Sequence, residues 1–210
     1  MKLADILQEA PLPDDWDKDI WDEKVPFKKR VEYARKRAKQ LGIGSARIAF
    51  EIPYKGRDTV LKIAQNHAGV AQNKVEVEML TEPHLKSMNI AIPIIDYDER
   101  NSSPTWIHME KAKPLKQSVF SKLISLPGVK ATLRDLVFFA MGKKLKKSVK
   151  KYEDLINTKS GFVKKFLKLV MLYDDLEVED FNIIENWGMY KNNPVIIDIG
   201  LTTEVLDSEY

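Results

Sequence analysis

The stretch VLKIAQNHAGVAQNKVEVEML, residues 60–80, decides how this chain is read. Its first five residues carry the period of a strand. Lys62 then shares a face with Val60, while Leu61 and Ile63 point the other way. Both faces are partly apolar, so the lysine is costly there unless its ammonium is paired or binds an anion. A lysine snorkelling from a strand edge is the other reading. From His67 onward the spacing becomes helical. Glu76, Met79 and Leu80 stand at i, i+3 and i+4, which puts Glu76 on the inward stripe and Glu78 roughly opposite. A carboxylate on a core-facing stripe needs a cation, and Lys62, fourteen residues upstream, supplies one.

Working outward, Ile48, Phe50 and Ile52 alternate with Ala49 and Glu51, and YKGRD (54–58) turns that strand into VLKIA. Before it, Val31, Ala34, Ala38 and Leu41 predict an amphipathic helix over 27–41, ended by Gly42. Gly42 and Gly44 then stand where positive φ permits a tight turn and close approach of backbone to a ligand; helix cap plus turn is the plainer reading. Residues 1–26 read as an irregular arm pinned by Trp16 and Trp21. Downstream, IAIPIIDYD (90–98) and SPTWIHME (103–110) predict two more strands joined by a polar turn at Glu99–Ser103. The chain up to residue 111 is thus a small sheet with an inserted helix. Residues 114–173 predict helices: Leu133, Val137, Ala140 and Met141 form one apolar stripe, and Phe162, Phe166, Leu169 and Val170 another. A loop, a short hairpin ending at Asp198 and a ten-residue tail complete it. The expected fold class is α+β in two lobes: a 27–111 lobe, a hinge near 110–114, and a mostly helical 112–210 lobe.

With 210 residues, 44% apolar and 31% charged, the chain is long enough for a real core and is not composed like a disordered one. It has no cysteine and three scattered histidines (His67, His84, His108), which argues against disulfides and against thiolate or histidine-rich metal sites. No apolar run approaches the length of a membrane span, and the N-terminus lacks the order of a signal peptide, so a cytoplasmic protein is expected. A net charge of +3 does not argue for nucleic acid. The basic blocks 28–39 and 142–151 and the acidic block 14–23 read as solvated faces.

Near the C-terminus, NWGMYKNNPVIIDIGLT (186–202) ends an apolar strand on Asp198, followed by Ile-Gly, with Asn186 twelve positions upstream. Taken in order, these segments resemble the protein kinase-like superfamily over residues 42–202. Gly42-Ile43-Gly44 stands where the glycine-rich loop stands, with Arg47 in place of its third glycine. VLKIA resembles the strand of the ATP-binding lysine (Lys62), and EVEML the helix of its ion-pair glutamate (Glu76). HMEKA (108–112) resembles the hinge: Met109 stands as gatekeeper, with Glu110 and Ala112 at the adenine. The same apolar-strand-to-proline junction also suits an ordinary linker. Asn186 stands at the metal-binding asparagine, and DIG from Asp198 resembles the DFG motif, whose aspartate holds Mg²⁺. One neutral and one anionic oxygen donor leave room for phosphate oxygens and waters around a hard octahedral cation.

The likeness implies a kinase-like two-lobed fold, ATP and Mg²⁺ as cofactors, and phosphoryl transfer to a protein or small-molecule acceptor. It departs from the family in two places. The catalytic aspartate belongs five residues before the asparagine, and Phe181 stands there; Asp180 is one residue further off, in EVEDFNIIEN (177–186). A loop longer by one residue aims Asp180 at a substrate hydroxyl, with Asp174, Asp175 and Glu177 nearby; otherwise Asp180 caps a turn and nucleotide binds with little transfer. Only ten residues follow Gly200, without an activation segment. With Asn186-Trp187-Gly188 before a short hairpin and a DxG aspartate, the chain is similar to small, divergent kinase-like proteins of bacteriophages, which implies the bacterial host cytoplasm or the virion as its place. Two functions stay open: a minimal phosphotransferase, and a pseudokinase used as a binding or assembly module.

Overall fold

The computed structural model describes residues 12–13, 15–22, 24–99, 103–124, 132–142, 161–172, 181 and 183–200. They form a mixed α+β protein in two compact units. One comprises the described residues up to Val77 together with Pro93–Lys111; the other takes Glu78–Ile92 and the described residues from Ala112 on.

The first unit is built on a five-stranded antiparallel sheet of β1 (Lys39–Ile43), β2 (Arg47–Tyr54), β3 (Arg57–Ala64), β4 (Ile94–Tyr97) and β5 (Trp106–Glu110), in the order β1-β2-β3-β5-β4. Phe50 pairs with Leu61 and Ile48 with Ile63, so the apolar side chains of neighbouring strands share one face. That face is covered by Val31 and Ala34 of α1 (Phe27–Arg35) and by Trp16 and Trp21 of the N-terminal arm, which stack at 5.9 Å. The two tryptophans, at 6% and 1% exposure, do pin the described part of the arm. The β2–β3 turn takes left-handed φ at Lys55 (48°) and Gly56 (76°), the twist a two-residue hairpin needs.

The helix expected over 27–41 stops at Arg35, and the rest of it is edge strand β1. Its stripe is spent after Ala34 and the partly buried Ala38, while Leu41 and Ile43 are 43% and 59% exposed. Pairing residues 39–43 with β2 satisfies backbone groups that the sheet edge would otherwise leave open. Gly42 therefore caps no helix, and neither Gly42 nor Gly44 takes positive φ.

Helix α2 (His67–Thr81) follows β3 and continues into the second unit, where α3 (Pro83–Met88) ends at Asn89 in the left-handed conformation. Ile90 and Ile92 bond the backbone of Ile196, which draws residues 78–92 into this unit and away from the 27–111 lobe of the sequence reading. A three-stranded sheet, β6 (Lys113–Pro114), β7 (Trp187–Tyr190) and β8 (Asn193–Ile196), lies in the order β6-β7-β8. Helices α4 (Gln117–Leu123), α5 (Leu133–Ala140) and α6 (Gly161–Leu172) complete the described part. Trp187, fully buried, packs against Phe162 and Phe166 at 5.6 and 5.7 Å and donates its indole N–H to the Phe181 carbonyl at 3.2 Å. A capping box between Thr132 and Asp135 starts α5, whose buried stripe is Leu133, Leu136 and Val137; Met141, expected on it, is 42% exposed. Among the described residues no helix is long and apolar enough to cross a membrane.

Candidate functional site

The first unit holds the lysine and the glutamate. Lys62 is opposite Ala49 on β2 and Ile107 on β5, on the sheet face away from Leu61 and Ile63. Glu76 is fully buried, Lys62 is 6% exposed, and Glu78 lies outside on the opposite side of α2. The ammonium of Lys62 reaches both carboxylate oxygens of Glu76, at 2.7 and 3.1 Å. Strand period and helix spacing, read separately, thus point two charged side chains at one another. A charge-assisted pair of this kind is stronger than a neutral hydrogen bond and resolves the cost of burying either group alone.

A third charge completes the cluster. Arg47, the first residue of β2, bonds Oε2 of Glu76 through Nη1, which also lies 3.4 Å from Oδ1 of Asn73, one turn earlier on α2. Asn73 is itself fully buried and donates to the Pro104 carbonyl at 3.0 Å. Sequence reasoning missed both residues, though the signal was available. Arg47 and Ala49 share a strand face, Ala49 is opposite Lys62, and Asn73 precedes Glu76 by one helical turn.

The turn that carries Gly42 and Gly44 joins β1 to β2 and closes with the Gly44 N–H on the Arg47 carbonyl at 2.8 Å. Its next three carbonyls are all taken: Gly44 by Nε2 of Gln65 (3.0 Å), Ser45 by Nδ2 of Asn66 (3.3 Å) and Ala46 by the Gln65 N–H (2.8 Å). A Cβ on Gly42 would meet nothing within 4 Å, whereas one on Gly69 would stand 2.2 Å from the Ala46 carbonyl oxygen. The glycine that packing demands here is Gly69, where α2 starts, and the sequence reading passed over it.

At the end of β5, Met109 is buried, and the Glu110 carboxylate takes Arg57 through two bonds of 2.6 and 3.2 Å while its N–H donates to Pro93 at 3.0 Å. Lys111 bonds Glu51, which raises the lysine's pKa and lowers that of the carboxyl.

The second unit holds the expected metal ligands. The Asn186 carbonyl accepts the N–H groups of Ile197 (2.8 Å) and Asp198 (3.3 Å), so the strands of the β7–β8 hairpin bring these two positions together across its open end. The hairpin is closed at Lys191-Asn192, both with left-handed φ (46° and 65°). Gly188 has a packing reason: a Cβ there would lie 2.7 Å from that of Ala112 and 3.1 Å from the Lys113 carbonyl oxygen. Asn-Trp-Gly thus joins a candidate ligand, a core anchor and a strand contact in three consecutive residues. Asp180, with Asp174, Asp175 and Glu177, lies outside the described residues; Phe181, which the resemblance would put at the base position, is buried at 1% exposure.

Among the described residues no three histidines or carboxylates gather into a metal cage. One amide and one carboxylate from adjacent strand ends suit Mg²⁺ only where phosphate oxygens and waters supply the remaining positions. No protein-family model and no curated protein matches this chain.

Proposed function

We propose that this chain is a minimal ATP- and Mg²⁺-dependent phosphotransferase of protein kinase-like fold. The observation that carries the reading is the buried Lys62–Glu76 pair, a lysine fixed at 2.7 Å by a helix carboxylate on the face of an antiparallel sheet. A buried ion pair adds little net stability over apolar residues of similar volume, so stability alone does not account for this one. Lys62 would bind the α- and β-phosphates with its direction set by Glu76, while Asn186 and Asp198 would hold Mg²⁺. The bound ion would offset phosphate charge as it develops during transfer. The acceptor oxygen then bonds the γ-phosphorus, the bridging P–O bond breaks with departure of ADP, and the hydroxyl proton passes to a carboxylate such as Asp180 or to water.

A second reading, a kinase-like binding or assembly module with little transfer, is favoured by Phe181. A phenylalanine buried at the position of the family's base offers no proton acceptor. Calorimetric titration with ATP, with and without Mg²⁺, tests the site on the wild type and on Asp198→Ala; release of labelled γ-phosphate or its transfer tests the chemistry. Metal-dependent binding lost in the variant, with turnover, supports the enzyme. Such binding without turnover selects the module. Absence of ATP binding by the folded wild type removes the enzyme and leaves a module whose partner is not a nucleotide.

A further inference from the structure

We infer that Arg47 is a positioning residue of the nucleotide site, holding Glu76 in place when Lys62 turns to phosphate; the inference rests on the reading just proposed. Lys62 engages both oxygens of Glu76, so a phosphate competes with that carboxylate for its ammonium. In a site with a single cation, binding phosphate would loosen the charge balance of a fully buried carboxylate. Here Arg47 bonds Oε2 independently of Lys62, and its Nη1 is gripped by Asn73 and Glu76 from adjacent turns of one helix. The guanidinium is a rigid fork, so it fixes direction as well as charge.

Its place in the chain adds a mechanical link. Arg47 begins β2 directly after a turn whose carbonyls at Gly44, Ser45 and Ala46 are all held by Gln65 and Asn66, and its own carbonyl accepts the Gly44 N–H. Where the resembled family has a third glycine and a mobile flap, this chain has a residue that ties the turn to α2 and to Glu76. Arg47 therefore governs nucleotide affinity through Glu76, with no contact of its own to the nucleotide required.

The test is ATP affinity, measured calorimetrically with Mg²⁺, for the wild type, Arg47→Met, Glu76→Gln, the double variant and Arg47→Lys, each checked for folding by thermal unfolding. Arg47→Met is expected to weaken ATP by about tenfold in the wild-type background and by less than about twofold beside Glu76→Gln, because the two act as one unit. Arg47→Lys keeps the charge without the fork and is expected to recover part of the loss; should Arg47→Met fail to fold, an Arg47→Lys affinity equal to wild type, or Arg47→Gln binding ATP as tightly, overturns the inference. Equal losses from Arg47→Met in both backgrounds, or a lowered melting temperature with unchanged affinity, also overturn it and leave the nucleotide reading intact. Failure of the folded wild type to bind ATP overturns both together.

Discussion

The N–H of Asp198 donates to the carbonyl of Asn186 at 3.3 Å, so two oxygen-bearing residues twelve apart in the chain flank the open end of one hairpin. Two such donors are too few to strip and hold Mg²⁺, which keeps several waters and draws its other ligands from phosphate. The protein is therefore expected to bind neither Mg²⁺ nor Mn²⁺ measurably by itself, and to bind ATP more tightly when either ion is present. Asp198→Ala should abolish that metal dependence, while Asn186→Ala, which removes the neutral oxygen donor proposed there, should weaken it. Manganese electron spin resonance, with and without ATP, reads both. Tight metal binding without nucleotide would contradict the two-ligand arrangement.

Glu76 is shared by two cations, and this makes substitutions within the cluster unequal. Lys62→Met leaves the carboxylate bonded to Arg47 and places an apolar chain among apolar neighbours, so a loss of about 1 kcal/mol is expected. Glu76→Ala removes the anion that buried Lys62 and part-buried Arg47 share and should cost about 3–5 kcal/mol. Urea midpoints measured for the two variants give the comparison. Equal destabilisation would mean that Arg47 does not sustain Glu76 when Lys62 is gone.

The pairing of Lys62 with Glu76 was legible because each half rests on a local period: two for the strand and 3.6 for the helix. Strand β2 was legible for the same reason, since it alternates between buried and partly open residues; β4 and β5, half-buried and almost wholly buried along their length, were legible as short apolar runs bounded by turns. Arg47 was passed over although the turn at 54–57 sets Ala49 opposite Lys62 and so puts Arg47 on the same face; in the sequence it stands out only as the residue in place of a third glycine. Strand β1 was not legible. Lys39–Ile43 carries helix-compatible residues and becomes a strand only because β2 offers an unpaired edge. Gly69 and Gly188 escaped notice because their necessity lies in distant backbone, the Ala46 carbonyl in one case and the β6 strand in the other. Asn186 and Asp198 were named through the resemblance; the hydrogen bond between their backbones was not legible, because it needs the hairpin closed at Lys191-Asn192.

The glycines separate packing from function. Gly69→Ala drives a methyl into a backbone oxygen, and Gly188→Ala crowds β6, so each should lose about 1–3 kcal/mol. Gly42→Ala meets open space at an ordinary φ and should leave stability within about 0.5 kcal/mol of wild type. If the β1–β2 turn approaches a nucleotide, that same Gly42→Ala must nevertheless weaken ATP. Thermal unfolding and ATP titration of the three variants check both halves. An unaltered ATP affinity in Gly42→Ala would remove Gly42 from the ligand site.

Asp96, on β4, carries a pH dependence of its own. Burial raises its carboxyl above the usual range; the bond from the Tyr97 N–H, 2.8 Å to Oδ1, opposes this, and the nearby Glu99 and Asp98 add to it. An acid with a raised folded pKa holds its proton longer in the native state than in the unfolded chain. Stability is therefore fully present below the unfolded value, about 3.9, and falls as pH rises through the window up to the folded one. Asp96→Asn keeps an oxygen acceptor for Tyr97 and removes the charge. The variant should melt at the wild-type temperature in acid below that window and above it at pH 7, the gap opening as pH rises. Scanning calorimetry of both proteins across this range isolates the contribution, because all other titrating groups are common to them. A variant less stable than wild type at neutral pH would mean instead that the ionised carboxylate is held by a favourable partner in the native state.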